Sequence, residues 1–339
     1  MSSVVNTIGY FFTRGYMIEF ASPVVTKLLL TLDDFKNLTD QFQSVVSSNG
    51  GTAKLELSQS MFVNPSDFDD FYPSINGYLS VAAENNLSLQ LKIVDYNFED
   101  DNSTIVVEQA NFHGKHNVKV KPANPEQVCM FDAIFDPQIK WVNVFGEAGT
   151  GKTFVAIASA LNLLSNKQYK KIIIAKPRNQ VLGSKDKAIG EIPGDLNDKM
   201  SPIMASFRDS FNKFYPNEKT AEVAWRQCIE DKTIEILPLE FLRGRNFTNT
   251  LFIIDEAQNA STEQLRTLLT RFEDSCKLIV MGDLLQLDSK SNAASIPWVQ
   301  YATHDFACES KLVCSLTLVE VKRGELASLA NEIIKDLNT

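Results

Sequence analysis

The strongest constraint on the fold of this chain is a single stretch, Phe145-Gly-Glu-Ala-Gly-Thr-Gly-Lys-Thr153. It follows a short apolar run from Trp141 to Phe145. Apolar residues at helical spacing come after it: Phe154, Ile157, Leu161 and Leu164. A strand, a glycine-rich loop and a helix in this order form the context of a phosphate-binding P-loop. The pattern therefore predicts a strand–loop–helix unit that binds the phosphates of a nucleotide.

The residue types of this loop suit phosphate binding. Its glycines let the backbone curl so that several amides point at one anion, and the helix start adds partial positive charge. Lys152 can reach β- and γ-phosphate oxygens, and the Thr153 hydroxyl can bind Mg²⁺. The residues expected to hold the nucleotide are Gly146, Glu147, Ala148, Gly149, Thr150, Gly151, Lys152 and Thr153.

A second motif places two acids directly after an apolar strand, in Leu251-Phe-Ile-Ile-Asp-Glu-Ala-Gln258. Parallel sheets bind ligands at the carboxyl ends of their strands. Asp255 is therefore predicted to hold Mg²⁺, and Glu256 to polarise the water that attacks the γ-phosphate. An apolar strand followed by a solvated acidic turn explains this motif taken alone. Its coupling to the upstream P-loop favours the catalytic interpretation.

A third strand end carries short polar residues, in Met281-Gly-Asp-Leu-Leu-Gln286. Asp283 and Gln286 can sense the γ-phosphate and relay its loss. An ordinary turn with a helix-capping aspartate explains the same residues equally well, so both interpretations stay open.

Alternation of short β-rich runs with helical patterns predicts the fold class. The runs are Trp141–Phe145, Ile172–Ala175, Thr233–Leu237, Leu251–Ile254 and Leu278–Met281. Such alternation predicts an α/β fold with a parallel sheet and helices on both faces. The spacing of Ser261 and Gln264 predicts a capping box at the start of one helix.

A domain boundary is predicted near Val120, where two prolines within Lys119–Pro125 favour extended chain. Residues 1–120 are then a smaller acidic α+β domain of unknown role, and residues 121–339 form the nucleotide-binding domain. Within the first domain, Asp33–Val46 is predicted to be a helix, and Leu87–Val94 and Thr104–Glu108 are predicted strands.

The charge distribution limits the partners. The net charge is −9, and residues 1–120 carry 7 Lys and Arg against 14 Asp and Glu. A protein with a net negative charge is poorly suited to bind DNA non-specifically over its whole surface. Any nucleic-acid contact must use a local basic surface, for which the carboxyl-terminal two-thirds of the chain is the candidate.

The cellular location is predicted from what the sequence lacks. No apolar run is long enough to span a bilayer, and the first twenty residues have no basic region ahead of an apolar core. We therefore expect no membrane partner and no secretory signal. The cysteines form no CxxC pair and fit reduced thiols in the cytoplasm better than a disulfide framework.

Together the motifs resemble the PhoH-like ATPases in order and spacing. The matching segments are GEAGTGKT, Gly190–Leu196, Leu242–Arg245, Ile253–Asn259 and Gly282–Gln286, within residues 125–331. The resemblance implies a RecA-like P-loop core related to superfamily 1 helicases, which binds ATP and Mg²⁺ and acts on RNA or single-stranded DNA.

The resemblance also implies roles for individual residues. Gln127 matches the glutamine that reads adenine, although a glutamine at a helix start on the surface is an equal alternative. Four cations match positions that touch a nucleic-acid backbone, with solvated loops as the alternative for each: Lys176, Arg178, Arg243 and Arg245.

Arg323 resembles a late arginine motif of the family and is a candidate arginine finger for a neighbouring subunit. The chain departs from the family pattern at Gly324, after that arginine, and at Glu147 in the P-loop. About fifty residues follow Asp288, too few for a second RecA-like domain. We therefore expect a homo-oligomeric ring, with a hexamer as in the family.

Two functions of different classes fit these observations. The first is an ATPase, and a candidate helicase, that couples hydrolysis to nucleic-acid remodelling. The second is a slow ATP-dependent conformational switch or protein-binding module. Glu256 favours the first function, and the low positive charge favours the second.

Overall fold

The computed structural model describes residues 26–30, 36–38, 40–41, 52–57, 61, 73–83, 88–97, 104–110, 120–177, 205–284 and 296–321. These residues form two β-sheets, one of six strands and one of five.

The larger sheet is entirely parallel. Its strands are β6 (Trp141–Gly146), β7 (Lys171–Lys176), β8 (Ile234–Pro238), β9 (Thr250–Ile254), β10 (Lys277–Gly282) and β11 (Val313–Leu318). They lie in the spatial order β11-β6-β10-β9-β7-β8. The predicted parallel α/β sheet is confirmed, and the predicted runs match β6 to β10 to within one residue at either end. Strand β11 was not predicted.

Helices cover both faces of this sheet. The described helices are α1 (Pro125–Phe135), α2 (Lys152–Ser165), α3 (Glu218–Glu230), α4 (Thr262–Leu269), α5 (Pro297–Ala302) and α6 (Asp305–Cys308), with 3-10 turns at Leu239–Leu242 and Ala257–Asn259. Residues 205–212 are also helical. The predicted capping box is present, because Ser261 Oγ accepts from Gln264 N and Gln264 Oε1 accepts from Ser261 N.

Alternate strand residues supply two separate hydrophobic cores, as the period of a strand requires. Ile253 and Ile279 belong to the core that contains buried residues of α1 and α2. Ile254 and Val280, one position further along, belong to the core that contains residues of α4 and α5. Both faces of the sheet are therefore buried, as is usual for parallel sheets.

The smaller sheet contains β1 (Thr26–Leu30), β2 (Thr52–Glu56), β3 (Tyr78–Ala83), β4 (Ser88–Asn97) and β5 (Thr104–Gln109), in the order β1-β3-β4-β5-β2. Strands β1 and β3 pair in parallel and the others are antiparallel. The sheet has its own core, which includes Leu79, Leu91 and Ile105. Of the predicted helix Asp33–Val46, residues 36–38 and 40–41 are helical and the others lie outside the described residues. The domain boundary at 120 stays a prediction.

Polar contacts fasten the smaller sheet to the larger one. Asn76 Nδ2 donates to Lys311 O at 3.1 Å and to Val313 O at 2.9 Å, at the start of β11. Tyr78 Oη donates to Asp132 Oδ2 at 2.7 Å, on the last turns of α1. The smaller sheet therefore contacts α1 and β11, and β11 is paired with the P-loop strand β6.

Lys277 is a buried lysine that caps the carboxyl end of α1. Its Nζ donates to Ala133 O at 3.2 Å, to Ile134 O at 2.5 Å and to Asp136 O at 2.7 Å. These carbonyls lie at or beside a helix terminus, where intrahelical donors run out. Burial lowers the pKa of Lys277 to about 7, and the Asp136 carboxylate opposes that shift.

Lys277 should make the stability of the protein depend on pH. Because its folded-state pKa lies below its ordinary value, the unfolded chain binds more protons between pH 7 and about 10.5. The free energy of unfolding of the wild type should therefore rise with pH relative to Lys277→Met, by at most ~1.4 kcal/mol per pH unit. Urea unfolding at several pH values measures this difference. A constant difference, like that expected for the exposed control Lys219→Met, would contradict the assignment.

Candidate functional site

The candidate site lies at the carboxyl edge of the parallel sheet. All six strands end at this edge because they run in the same direction. The P-loop follows β6, and Asp283, Asp255 and Lys176 end or follow β10, β9 and β7, the next three strands in spatial order. Residues far apart in the sequence are thus brought side by side.

The P-loop holds its lysine inside the loop. Helix α2 begins at Lys152, and Lys152 Nζ donates to Gly146 O at 2.5 Å and to Glu147 O at 2.8 Å. Burial lowers the pKa of Lys152, while the carboxylates of Asp283 and Asp255 are the two largest influences that favour its charged form. The Lys152 ammonium therefore lies near several carboxylates at the start of a helix. Helix N-termini also bind phosphate oxygens.

Gln127 contacts the P-loop through its side-chain amide. Its Nε2 donates to Thr150 O at 3.2 Å, and its Oε1 accepts from Ala123 N at 2.9 Å. Gly151 has φ +93°, and a Cβ there would lie 2.7 Å from Gln127 Nε2, so only glycine fits. Both ends of the amide thus bond to backbone. The adenine-reading role stays a prediction.

Asp255 is paired with a cation. Its side chain is nearly buried, and its Oδ2 lies 3.0 Å from Lys176 Nζ. The same ammonium lies 5.3 Å from the centroid of the Phe207 ring, a cation–π distance. Lys176 was expected to contact nucleic acid. The structure places it between the predicted metal ligand and an aromatic ring, and its contact with nucleic acid stays a prediction.

Glu256 has an unusual backbone conformation. Its φ is +57° and its ψ 37°, the left-handed region that a residue with a side chain rarely adopts. Its Oε2 accepts from Gln258 Nε2 at 2.8 Å. Burial raises the pKa of Glu256, and the neighbouring Asp255 carboxylate raises it further. Such strain and pKa shifts are concentrated at functional sites.

A chain of hydrogen bonds joins Glu256 to the P-loop. Gln258 Nε2 donates to Glu256, and Gln258 Oε1 accepts from Asp283 N at 3.2 Å. Asp283 Oδ2 in turn accepts from Ala148 N at 2.9 Å. A Cβ on Gly282 would lie 2.4 Å from Gln258 Oε1, so the glycine makes room for this link. Sequence reasoning gave Gln258 no role, although it belongs to the quoted acidic motif.

The donors present suit Mg²⁺. A hydroxyl at Thr153 and a carboxylate at Asp255 are hard oxygen ligands of the kind this ion prefers. The ammonium beside Asp255 shows that this carboxylate already attracts a cation. Among the described residues no cluster of three or more His, Cys, Asp or Glu could hold a metal by itself.

The two predicted nucleic-acid arginines that the structure describes differ from each other. Arg243 Nη1 lies 3.5 Å from Glu263 Oε1, and both side chains are more than two-thirds exposed. Arg245 Nη2 lies 3.0 Å from Glu235 Oε2 and stacks over Phe247. The remaining predicted site residues lie outside the described residues: Arg178, Gln286 and Arg323.

The sheet order, the P-loop and the acids at neighbouring strand ends define a RecA-like α/β protein of the P-loop NTPase class. The family model of the PhoH-like protein matches residues 119–335. The chain therefore belongs to the PhoH-like family.

Relatives span longer chains. The protein PhoH2 of Bacillus subtilis (strain 168) is 30% identical over 239 residues, which cover 69% of this chain and 52% of that protein. A PhoH-like protein of Synechocystis is 38% identical over 143 residues, 42% of this chain and 41% of that protein. The chain thus spans about half the length of the relatives it matches.

Among solved structures, a Pif1 helicase from Candida albicans is similar at a TM-score of 0.31 and 17% identity, over 64% of this chain and 44% of that one. The fold assignment rests on the strand order and the family match, not on this likeness. Within the described part of the chain, no helix is long and apolar enough to cross a membrane.

Replacing Glu256 should stabilise the protein. Its raised pKa means that the free energy of unfolding falls as the pH rises from about 4.5 through the folded-state pKa. Above the folded-state pKa the ionised carboxylate is therefore destabilising, and Glu256→Gln removes the charge while keeping an acceptor for Gln258. We expect its melting temperature to rise by about 2 °C or more. Differential scanning calorimetry tests this, with the exposed Glu230→Gln as control, and a lower melting temperature would contradict it.

Proposed function

We propose that the protein binds ATP with Mg²⁺ and hydrolyses it, and that hydrolysis is coupled to RNA or single-stranded DNA. The observation that carries this proposal is the hydrogen-bonded chain from Glu256 through Gln258 and Asp283 to Ala148. It connects the acid that we expect to activate water with the loop that we expect to bind phosphate. A structural acidic turn would have no need of such a link.

Each residue has a distinct part in this chemistry. Lys152 binds β- and γ-phosphate oxygens after leaving the carbonyls of Gly146 and Glu147. Thr153 and Asp255 would hold Mg²⁺, which neutralises charge that develops on the phosphate oxygens.

Glu256 orients the attacking water and accepts its proton. The raised pKa of Glu256 makes it a better base than a solvated glutamate. Gln258 fixes the carboxylate through its amide. Asp283, which accepts a hydrogen bond from Ala148 N in the P-loop, is the candidate sensor for loss of the γ-phosphate.

The ion pair between Lys176 and Asp255 must open or adjust when Mg²⁺ binds. Lys176 lies at the last position of β7, and the chain continues from it to Pro177 and the predicted nucleic-acid residue Arg178. Metal binding at Asp255 would therefore affect Lys176, which directly precedes this candidate nucleic-acid segment. Exposed Arg243 offers a second cation of the kind that contacts a phosphate backbone.

A slow ATP-dependent switch is the second candidate function. It is favoured by the acidic amino-terminal region, whose sheet contacts α1 and β11 through Tyr78 and Asn76. Nucleotide-dependent movement of those elements would reach that sheet, which would then bind a partner.

The steady-state ATPase rate, measured with Mg²⁺ in the presence and absence of single-stranded RNA or DNA, separates the two functions. A nucleic-acid-coupled ATPase should be stimulated by one of these strands, and Glu256→Gln should lose at least about 100-fold in turnover. A slow rate indifferent to nucleic acid would favour the switch. No Mg-dependent hydrolysis under any condition would contradict the leading proposal.

The arginine-finger prediction is tested separately. If Arg323 reaches the γ-phosphate of a neighbouring subunit in a ring, Arg323→Ala should lower turnover by about 1,000-fold and leave ATP binding intact. Turnover and equilibrium binding of a fluorescent ATP analogue provide the two measurements. Sedimentation velocity reports whether the expected hexamer forms. Unchanged turnover would exclude the finger.

A further inference from the structure

The first turn of α1 joins two parts of the site that the sequence separates. Glu126 is a buried carboxylate, 6% exposed, in a helix that begins with Pro125. Its Oε2 accepts from Val319 N at 2.7 Å and from Glu320 N at 3.1 Å, directly after β11 ends. The neighbouring residue Gln127 donates to the P-loop carbonyl of Thr150.

The end of β11 also packs directly on the P-loop. Leu318 pairs with Gly146 across the two strands. A Cβ on Gly146 would lie 2.6 Å from Leu318 O, so the backbones approach as closely as glycine allows. The start of the P-loop, the end of β11 and the first turn of α1 thus meet at one place.

We propose that Glu126 is a positioning residue that fixes the chain leaving β11 against the P-loop. Two charge-assisted hydrogen bonds to consecutive amides define both the place and the direction of that chain. Lys322 and Arg323 follow Glu320 within three residues, a reach of at most about 10 Å. Glu126 therefore holds the backbone at Val319 and Glu320, shortly before these cations in the sequence. This inference rests on the proposed ATPase function.

Removing the carboxylate should separate turnover from nucleotide binding. Glu126→Ala deprives the two amides of their acceptor, whereas the contact between Gln127 and Thr150 that supports the phosphate loop remains. Glu126→Gln keeps an acceptor without the charge and should lie between the wild type and the alanine variant. Glu218→Ala is the control. It also removes an acid from the first turn of a helix, α3, but it leaves the bonds from Val319 and Glu320 to Glu126 in place.

The experiment combines kinetics with hydrogen exchange on the full chain. For Glu126→Ala we expect kcat to fall about tenfold or more and the Kd of a fluorescent ATP analogue to stay within about twofold. Exchange at the Val319 and Glu320 amides should accelerate in Glu126→Ala, and less in Glu126→Gln. The double variant with Arg323→Ala should lose no more turnover than Arg323→Ala alone, because both changes act on one unit.

The outcomes distinguish this inference from the proposed function. If the wild type hydrolyses no ATP, the proposed function fails, and unchanged exchange at Val319 and Glu320 in Glu126→Ala would overturn the positioning role independently. An additive loss in the double variant would also overturn it. So would a kcat for Glu126→Gln or Glu126→Ala that equals that of Glu218→Ala.

Discussion

The parallel order of β6, β10, β9 and β7 is the constraint on which the rest of the site depends. Strand β10 lies between the P-loop strand and β9, the strand that Asp255 follows, so the two motifs do not adjoin directly. Asp283, at the end of β10, fills this gap with its bond to Ala148. The sheet brings these groups together because buried apolar strands pair through their backbone hydrogen bonds, and no contact between the polar side chains of the site is needed to assemble it.

The site concentrates polar groups where burial is costly, and it meets that cost with specific partners. Asp255 has Lys176, and Glu256 has Gln258. Buried polar groups are tolerated when they are hydrogen-bonded. The left-handed backbone at Glu256 adds strain at the same point. The two hydrophobic cores on either face of the sheet supply the stability that holds this arrangement.

Sequence patterns predicted the parts of the fold that depend on local composition. Strands β7, β9 and β10 contain uninterrupted apolar runs, whereas Asn143 interrupts β6 and Glu235 interrupts β8. The spacing of Ser261 and Gln264 located a helix start. Strand β11 was not predicted because Ser315 and Thr317 interrupt its apolar pattern, and its burial depends on pairing with β6 and on contacts with α1 and α6. The contacts of Gln258 with Asp283 and of Lys176 with Asp255 were also not predicted, because they follow from the order of the strands and not from spacing along the chain.

The proposed function requires a Mg-ATP site at the carboxyl edge of this sheet, built from the P-loop and its acidic partners. A crystal structure with Mg²⁺ and a non-hydrolysable ATP analogue would test this requirement. We predict phosphates inside the loop, Lys152 Nζ moved from the Gly146 and Glu147 carbonyls to phosphate oxygens, and the metal beside Thr153 and Asp255. Nucleotide bound elsewhere, or phosphates in the loop with Lys152 still on those carbonyls, would contradict it.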